Sequence, residues 1–217
     1  MTAVKKTITF VTSNLNKLAE VQAILHDYTV NHISLDLCEI QGDHREIAVA
    51  KCVEAYRHVQ SDVLVEDTAL AFNALGGLPG AYVKESIGCE GLHTMLQGFP
   101  DKSARAICIF AYLPAGATPD PKEVELFEGA CKGHIVSPRA GEGKPFGWDP
   151  IFEPEKSEET FAEMSAEAKN AISHRSRALK ALKRHFQRKR PHSSTLLMIF
   201  HTPTARSFNN PTCLLKR

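Results

Sequence analysis

No stretch of this 217-residue sequence approaches the roughly 18 consecutive apolar residues that a bilayer-spanning helix requires, so an integral membrane protein is not expected. The first residues, Met1-Thr2-Ala3-Val4-Lys5-Lys6, lead straight into a short β-rich run. They lack the apolar core and cleavage site of a secretory signal, and a cytoplasmic location is the expectation. None of the six cysteines forms a C-x-x-C pair, which leaves zinc without a matching ligand spacing and makes reduced thiols the reading. A G-x-x-x-x-G-K-[ST] phosphate loop is also missing. Acidic residues are absent from the last thirty positions, which carry Arg188, Lys189, Arg190, Arg206, Lys216 and Arg217. With the whole chain at +1, residues 1–187 are left at −5, and an acidic body argues against stable nucleic-acid binding by the folded part.

What is present reads as one sizeable α/β unit. The β-branched alternation of Thr7-Ile8-Thr9-Phe10-Val11-Thr12 predicts a strand. Ser13-Asn14 then offers helix-capping chemistry, and Leu18, Val21 and Leu25 predict a helix to about His26. A second helix is predicted from Glu46 to Gln60, with Val49, Val53, Tyr56 and Val59 on one face. Asp62 to Asp67 reads as a short apolar strand ending in two carboxylates, and Ala71 to Gly80 as a loop. Ala104–Leu113 and Glu123–Val136 read as two long strands of a hairpin, and 137–145 as a loop. A last helix is predicted from Ala166 to Gln187, with Ile172, Leu179, Leu182 and Phe186 on one stripe. Periodicity stops at Arg188, and residues 188–217 read as a basic, disordered extension of the unit formed by 1–187.

Three clusters carry chemistry. Thr12, Ser13, Asn14, Leu15, Asn16 and Lys17 lie at a strand-to-helix turn, where free backbone N–H groups and the helix dipole suit a polyphosphate. Alone, this reads more readily as an ordinary N-cap beside a solvated lysine. Glu66-Asp67-Thr68 at a strand end could hold Mg²⁺ through oxygen ligands and activate a water, or be two exposed acids in a turn. Glu39 and Glu46 are further candidate acids. Phe146-Gly147-Trp148-Asp149-Pro150 places the only tryptophan beside a phenylalanine and an acid, a set that can stack on a base and accept its N–H. Lys169 and Ser173-His174-Arg175 add cations near the last helix; singly, the phenylalanine and tryptophan read as core, Asp149 as a turn cap and the basic residues as solvated charge.

Taken together and in this order, the clusters resemble the inosine triphosphate pyrophosphatase family, the Ham1-like NTP pyrophosphatases, in its eukaryotic form. The matching stretches are Phe10-Val11-Thr12-Ser13-Asn14-x-x-Lys17, Leu64-Val65-Glu66-Asp67-Thr68, Phe72 to Gly80, Phe146-Gly147-Trp148-Asp149-Pro150 and Lys169-Asn170-Ala171-x-Ser173-His174-Arg175. The likeness covers about residues 7–187.

The resemblance implies a long, bent, mixed β-sheet flanked by helices, in two lobes with the active site in the cleft between them, and a homodimer. It implies hydrolysis of ITP, dITP and XTP to the monophosphate and pyrophosphate with Mg²⁺ (or Mn²⁺). Thr12 to Lys17 and Lys51 would hold the triphosphate. Glu39 and Asp67 would be the metal-associated acids, with Asp67 the general base and Glu66 and Glu46 in support. Phe146 would stack on the base, with Gly147, Trp148 and Asp149 closing the pocket. Lys169, Ser173, His174 and Arg175 would complete it, Arg175 facing the 6-oxo group, and Thr68 and Lys84 would also reach the nucleotide. A pyrophosphatase for other modified or pyrimidine nucleotides and a nucleotide sensor without turnover are the rival readings. Only five residues separate Lys84 from Glu90, where a longer, more aromatic helix would be expected from the resemblance.

Overall fold

The computed structural model describes residues 5–84, 87–141 and 146–189, with Lys84 described by its backbone alone. Seven strands form one mixed sheet. They are β1 (Thr7–Val11), β2 (Thr29–Ile33), β3 (Val63–Phe72), β4 (Pro79–Gly80), β5 (Ser103–Leu113), β6 (Glu125–Ile135) and β7 (Phe152–Pro154). Their order is β2-β1-β3-β5-β6-β7, with the two-residue β4 also paired to β3. β1 runs parallel to both β2 and β3, and the remaining pairs are antiparallel. The helices are α1 (Leu15–Ile24), α2 (His44–Val59), α3 (Gly88–Thr94), α4 (Ala166–Ile172) and α5 (His174–Lys189).

The long strands β3, β5 and β6 thread two lobes. Along β3, Leu64 points into a cluster with Ile8, Phe10, Val21, Leu25, Phe110, Leu179, Leu182 and Phe186, beneath α1 and α5. Its neighbours Val63 and Val65 point the other way, into a cluster with Ala48, Cys52, Tyr56 and Leu113 beneath α2. That is the two-residue period of a strand covered on both faces. Farther along, Leu70 and Phe72 join Leu92, Ala106, Ile135, Trp148, Phe152 and Phe161 in the core of the second lobe.

Five sequence-based expectations need correction. β2 was not foreseen, because Thr29–Ile33 is an exposed edge strand with no apolar alternation to announce it. β3 does not stop at Asp67. It runs on to Phe72 because β5 pairs with all ten of its residues, from Val63↔Leu113 to Phe72↔Ala104, so the two acids lie in mid-strand. The supposed loop 71–80 contains the end of β3, a 3-10 turn at Asn73–Leu75 and β4. The single helix foreseen over 166–187 is two helices broken at Ser173, whose ψ of 159° is extended and whose Oγ accepts the Ser176 N–H at 3.2 Å as the cap of α5. In α2, Asp43 and Glu46 form a capping box that starts the helix two residues before the predicted point. Val49 and Val59 are only half-buried, and the inward face instead carries Ile47, Ala48, Lys51, Cys52, Val53, Ala55 and Tyr56.

No helix among the described residues is long and apolar enough to cross a membrane. The proposed tail lies outside the described residues from position 190 onward.

Gly129 on β6 sets how closely α5 approaches the sheet. A Cβ built there would stand 2.3 Å from both the His174 carbonyl oxygen and the Ala178 nitrogen. The clash is with backbone, so the helix itself would have to move. Gly129→Ala is expected to lower stability by about 1–3 kcal/mol, read as the shift of a chemical denaturation midpoint. An unshifted midpoint would mean that α5 is not seated on β6 in this way.

Candidate active site

β1 pairs with β3 only as far as Leu64 and β4 takes up the same edge at Leu70, so between them β3 is open on that side, and there it carries Glu66, Asp67 and Thr68. The opening is a cleft of about 1250 Å³ between the lobes. Of the foreseen residues, Thr12, Ser13, Asn14, Lys17, Glu39, Lys51, Glu66, Asp67, Thr68, Phe146, Gly147, Trp148, Asp149, His174 and Arg175 line it. Leu15 and Asn16 are exposed and do not line it, and Ser173 is buried as the cap between α4 and α5. Glu46 is spent on the capping box, accepting the Asp43 N–H at 3.0 Å. The Lys84 side chain lies outside what is described.

At the head of α1, Asn14 Oδ1 accepts the N–H groups of Asn16 and Lys17 at 3.0 and 3.2 Å. Asn14 N itself donates to Thr12 Oγ1 at 3.1 Å. That leaves the N–H groups of Ser13 and Leu15 without a partner among the described residues, beside the Lys17 ammonium. An unsatisfied helix N-terminus next to a cation is an anion site in waiting.

Burying two acids opposes the apolar gain of the core, and both are tolerated because they are paired. Arg175 reaches Glu66 with two prongs, Nε to Oε2 at 3.2 Å and Nη2 to Oε1 at 3.1 Å, and Lys17 Nζ lies 3.4 Å from Oε1. Thr68 Oγ1 also donates to Glu66. Burial alone would raise the Glu66 pKa, but the charges of Arg175 and Lys17, with those hydrogen bonds, hold it well below the usual carboxylate range. Lys51 Nζ donates to Asp67 Oδ1 at 2.8 Å and to Glu39 Oε1 at 2.9 Å. Asp67 is also drawn down: burial opposes ionisation, but His44 and Lys51 outweigh it.

On the other side of Arg175 lies Glu20, which pairs with Arg175 Nη1 and accepts from Lys169 Nζ at 2.8 Å. Lys169 donates in turn to Asp149 Oδ2 at 2.5 Å. Asp149 is the exception among these acids, because burial pushes its pKa up despite Lys169. Above this chain sits Phe146, with Lys169 Nζ 5.0 Å and Arg175 Cζ 5.6 Å from its ring centroid. Gly147 has φ +56°, a left-handed conformation that seats the turn between Phe146 and Trp148. His174 packs against Trp148 at 5.3 Å and stacks on Phe161 at 5.9 Å. Both its ring nitrogens are buried without a hydrogen-bond partner among the described residues. Desolvation, reinforced by the nearby Arg175 charge, keeps that ring neutral.

Sequence reasoning missed Glu20 and His44. Glu20 lies three residues after Lys17, on the same side of α1, and that spacing was a usable signal. His44 lies seven residues, two turns, before Lys51 on α2. Its Nε2 is 3.1 Å from Asp67 Oδ2, at ion-pair distance but outside hydrogen-bond alignment.

Among the described residues, no group of three or more His, Cys, Asp and Glu side chains forms a complete metal cage. Glu39 and Asp67 nevertheless converge on one cation, the Lys51 ammonium. Two carboxylates fit Mg²⁺, which retains waters and takes its other ligands from substrate phosphates.

The model of the Ham1 family matches residues 8–185. Among solved structures, the Ham1 protein of Staphylococcus aureus is 28% identical with a TM-score of 0.71, over 84% of this chain and 98% of that one. A HAM1 protein from Coxiella burnetii is 27% identical at the same TM-score, over 84% and 99%. A nucleoside-triphosphatase, dITP/XTP pyrophosphatase, from Mycobacterium abscessus is 29% identical with a TM-score of 0.61, over 81% and 98%.

Removing the Glu66 charge strands a buried guanidinium. Glu66→Gln is expected to cost about 3–5 kcal/mol at neutral pH, the usual penalty for breaking a buried ion pair. Because Glu66 titrates lower in the folded protein, its contribution is present above the ordinary value of 4.5 and lost as the pH falls below it. The stability gap between wild type and Glu66→Gln, followed by urea denaturation from pH 7 to 3, should therefore stay constant down to about 4.5 and narrow below it. A gap that is flat across this range would contradict the pairing.

Proposed function

This chain belongs to the Ham1 family, and from that membership and the layout of its cleft we propose that it hydrolyses ITP, dITP and XTP to the monophosphate and pyrophosphate. The observation that carries the reading is that one cleft holds both halves of such a substrate's complement. An open helix N-terminus with Lys17 and Lys51 suits a polyphosphate, and Phe146, Trp148, Asp149, His174 and Arg175 suit a purine. One structural relative, from Mycobacterium abscessus, is a dITP/XTP pyrophosphatase, which points the same way.

Phe146 stacks on the base. His174, neutral and with both ring nitrogens unspent, offers a donor and an acceptor to the purine edge. Arg175 has engaged all but one of its five N–H groups, and the remaining one on Nη1 is available to a 6-oxo group. A 6-amino group presents a donor where these donors point, and leaving buried polar groups unpaired is a route to large discrimination.

Mg²⁺ held by Glu39 and Asp67 would neutralise phosphate charge and increase the acidity of water. Asp67, kept ionised by its neighbours, takes a proton from the water that attacks the α-phosphorus. The bond from that phosphorus to the bridging oxygen breaks and pyrophosphate departs, its charge met by Lys17 and Lys51. In this reading the chain through the end of α5 at Lys189 is the catalytic unit of a cytoplasmic homodimer that clears non-standard nucleotides from the pool.

Pyrophosphate release from ITP, dITP, XTP, ATP and GTP, with Mg²⁺ and with EDTA, tests the proposal. The 6-oxo substrates without a 2-amino group should be strongly preferred, and EDTA should abolish turnover. Equal cleavage of ATP would overturn the base assignment, and ITP binding without pyrophosphate release would favour a sensor. Asp67→Asn should lose roughly 10²-fold or more in kcat. A variant with wild-type kcat would remove Asp67 from the mechanism.

A further inference from the structure

The two oxygens of Asp67 are met from the same helix. Lys51 Nζ donates to Oδ1 at 2.8 Å, and His44 Nε2 faces Oδ2 at 3.1 Å. His44 and Lys51 are seven residues apart on α2, so two turns of helix form a bracket around one carboxylate of β3. The bracket is stiff at the His44 end. Asp43 Oδ1 accepts the N–H groups of Arg45 and Glu46 at 2.8 and 2.9 Å, and Glu46 returns a bond to the Asp43 N–H. The His44 side chain is 14% exposed and does not line the cleft, whereas Asp67 does. His44 therefore stands behind the acid, out of a substrate's reach.

We propose that His44 is a positioning residue for Asp67, fixing the plane of its carboxylate from behind through Oδ2. This rests on the reading of Asp67 as the acid that serves the attacking water. Lys51 alone does not suffice for this task, because its ammonium is shared with Glu39 and is also the group placed to meet incoming phosphate. When Lys51 turns toward phosphate, Oδ1 is released. His44 carries no such second duty, and its Nε2 stands 3.1 Å from Oδ2. Groups that orient a ligating carboxylate typically matter by about 10–100-fold in activity or metal affinity.

The test uses His44→Phe, which keeps the ring and removes its nitrogens, and His44→Gln, which keeps an N–H donor without the ring. Three readouts apply to the full chain: kcat and KM for ITP with Mg²⁺, Mn²⁺ affinity by electron paramagnetic resonance, and ITP binding in EDTA through the fluorescence of Trp148. His44→Phe is expected to lose roughly 10-fold in kcat and in Mn²⁺ affinity, with KM and metal-free ITP binding within about twofold of wild type. His44→Gln should recover a substantial part of both losses. The proposal is overturned if His44→Phe keeps wild-type kcat and Mn²⁺ affinity, if its loss falls on ITP binding instead, or if His44→Gln is no better. A wild-type protein that releases no pyrophosphate sinks the proposed function instead, and the Mn²⁺ affinities then decide the role of His44 on their own.

Discussion

The two-pronged contact of Arg175 with Glu66 is the constraint on which the site depends. Arg175 is 1% exposed and Glu66 is buried in the middle of β3, so neither charge has water to fall back on. Their pairing ties the first turn of α5 to the central strand of the sheet. The third prong, to Glu20, brings in α1, and through Lys169 the chain of charges continues to Asp149 in the loop beneath Phe146. One connected set of buried ions thus links the strand that carries the acids, the helix whose N-terminus is open to an anion, and the loop that presents the aromatic rings. A buried pair of this kind adds little net stability. Its consequence is positional, because each partner is costly to leave alone and is therefore found in one place.

Backbone features serve the same end. The break at Ser173 lets His174 and Arg175 begin a new helix instead of continuing α4. Gly129 lets that helix lie against β6 at backbone distance. β1 gives up its pairing with β3 at Leu64, so the acids that follow face a cleft and not a neighbouring strand.

The sequence disclosed most of the long elements, because β1, β5, β6 and α5 carry clear apolar periods, whereas α2 was found from a stripe of which only Val53 and Tyr56 face inward. Edge strand β2 was illegible, since an exposed strand needs no apolar face. The length of β3 was hidden for the opposite reason. Two acids in a row read as a strand end, and only the tertiary pairing of Glu66 with Arg175 and of Asp67 with Lys51 explains how they lie mid-strand. The same limit applies to the site. The clusters at Thr12–Lys17, Glu66–Thr68, Phe146–Asp149 and Ser173–Arg175 were visible as local chemistry, each with an ordinary alternative. Glu20 and His44 offered only their helical spacing from Lys17 and Lys51, because the partners that give them importance lie 155 and 23 positions away in the chain. Membership of the Ham1 family and the convergence of these side chains on one cleft support the functional alternatives that single residues did not.

In the proposed function the base lies at the Phe146 end of the cleft and the distal phosphates beside Lys17 and Lys51, so that the water held by Asp67 meets the α-phosphorus. The most direct measurement is hydrolysis of ITP in water enriched in oxygen-18, with mass analysis of both products after a single turnover. The account predicts the label in the nucleoside monophosphate and unlabelled pyrophosphate. Label in the pyrophosphate would mean attack on the β-phosphorus, and would contradict the arrangement of the cleft described above.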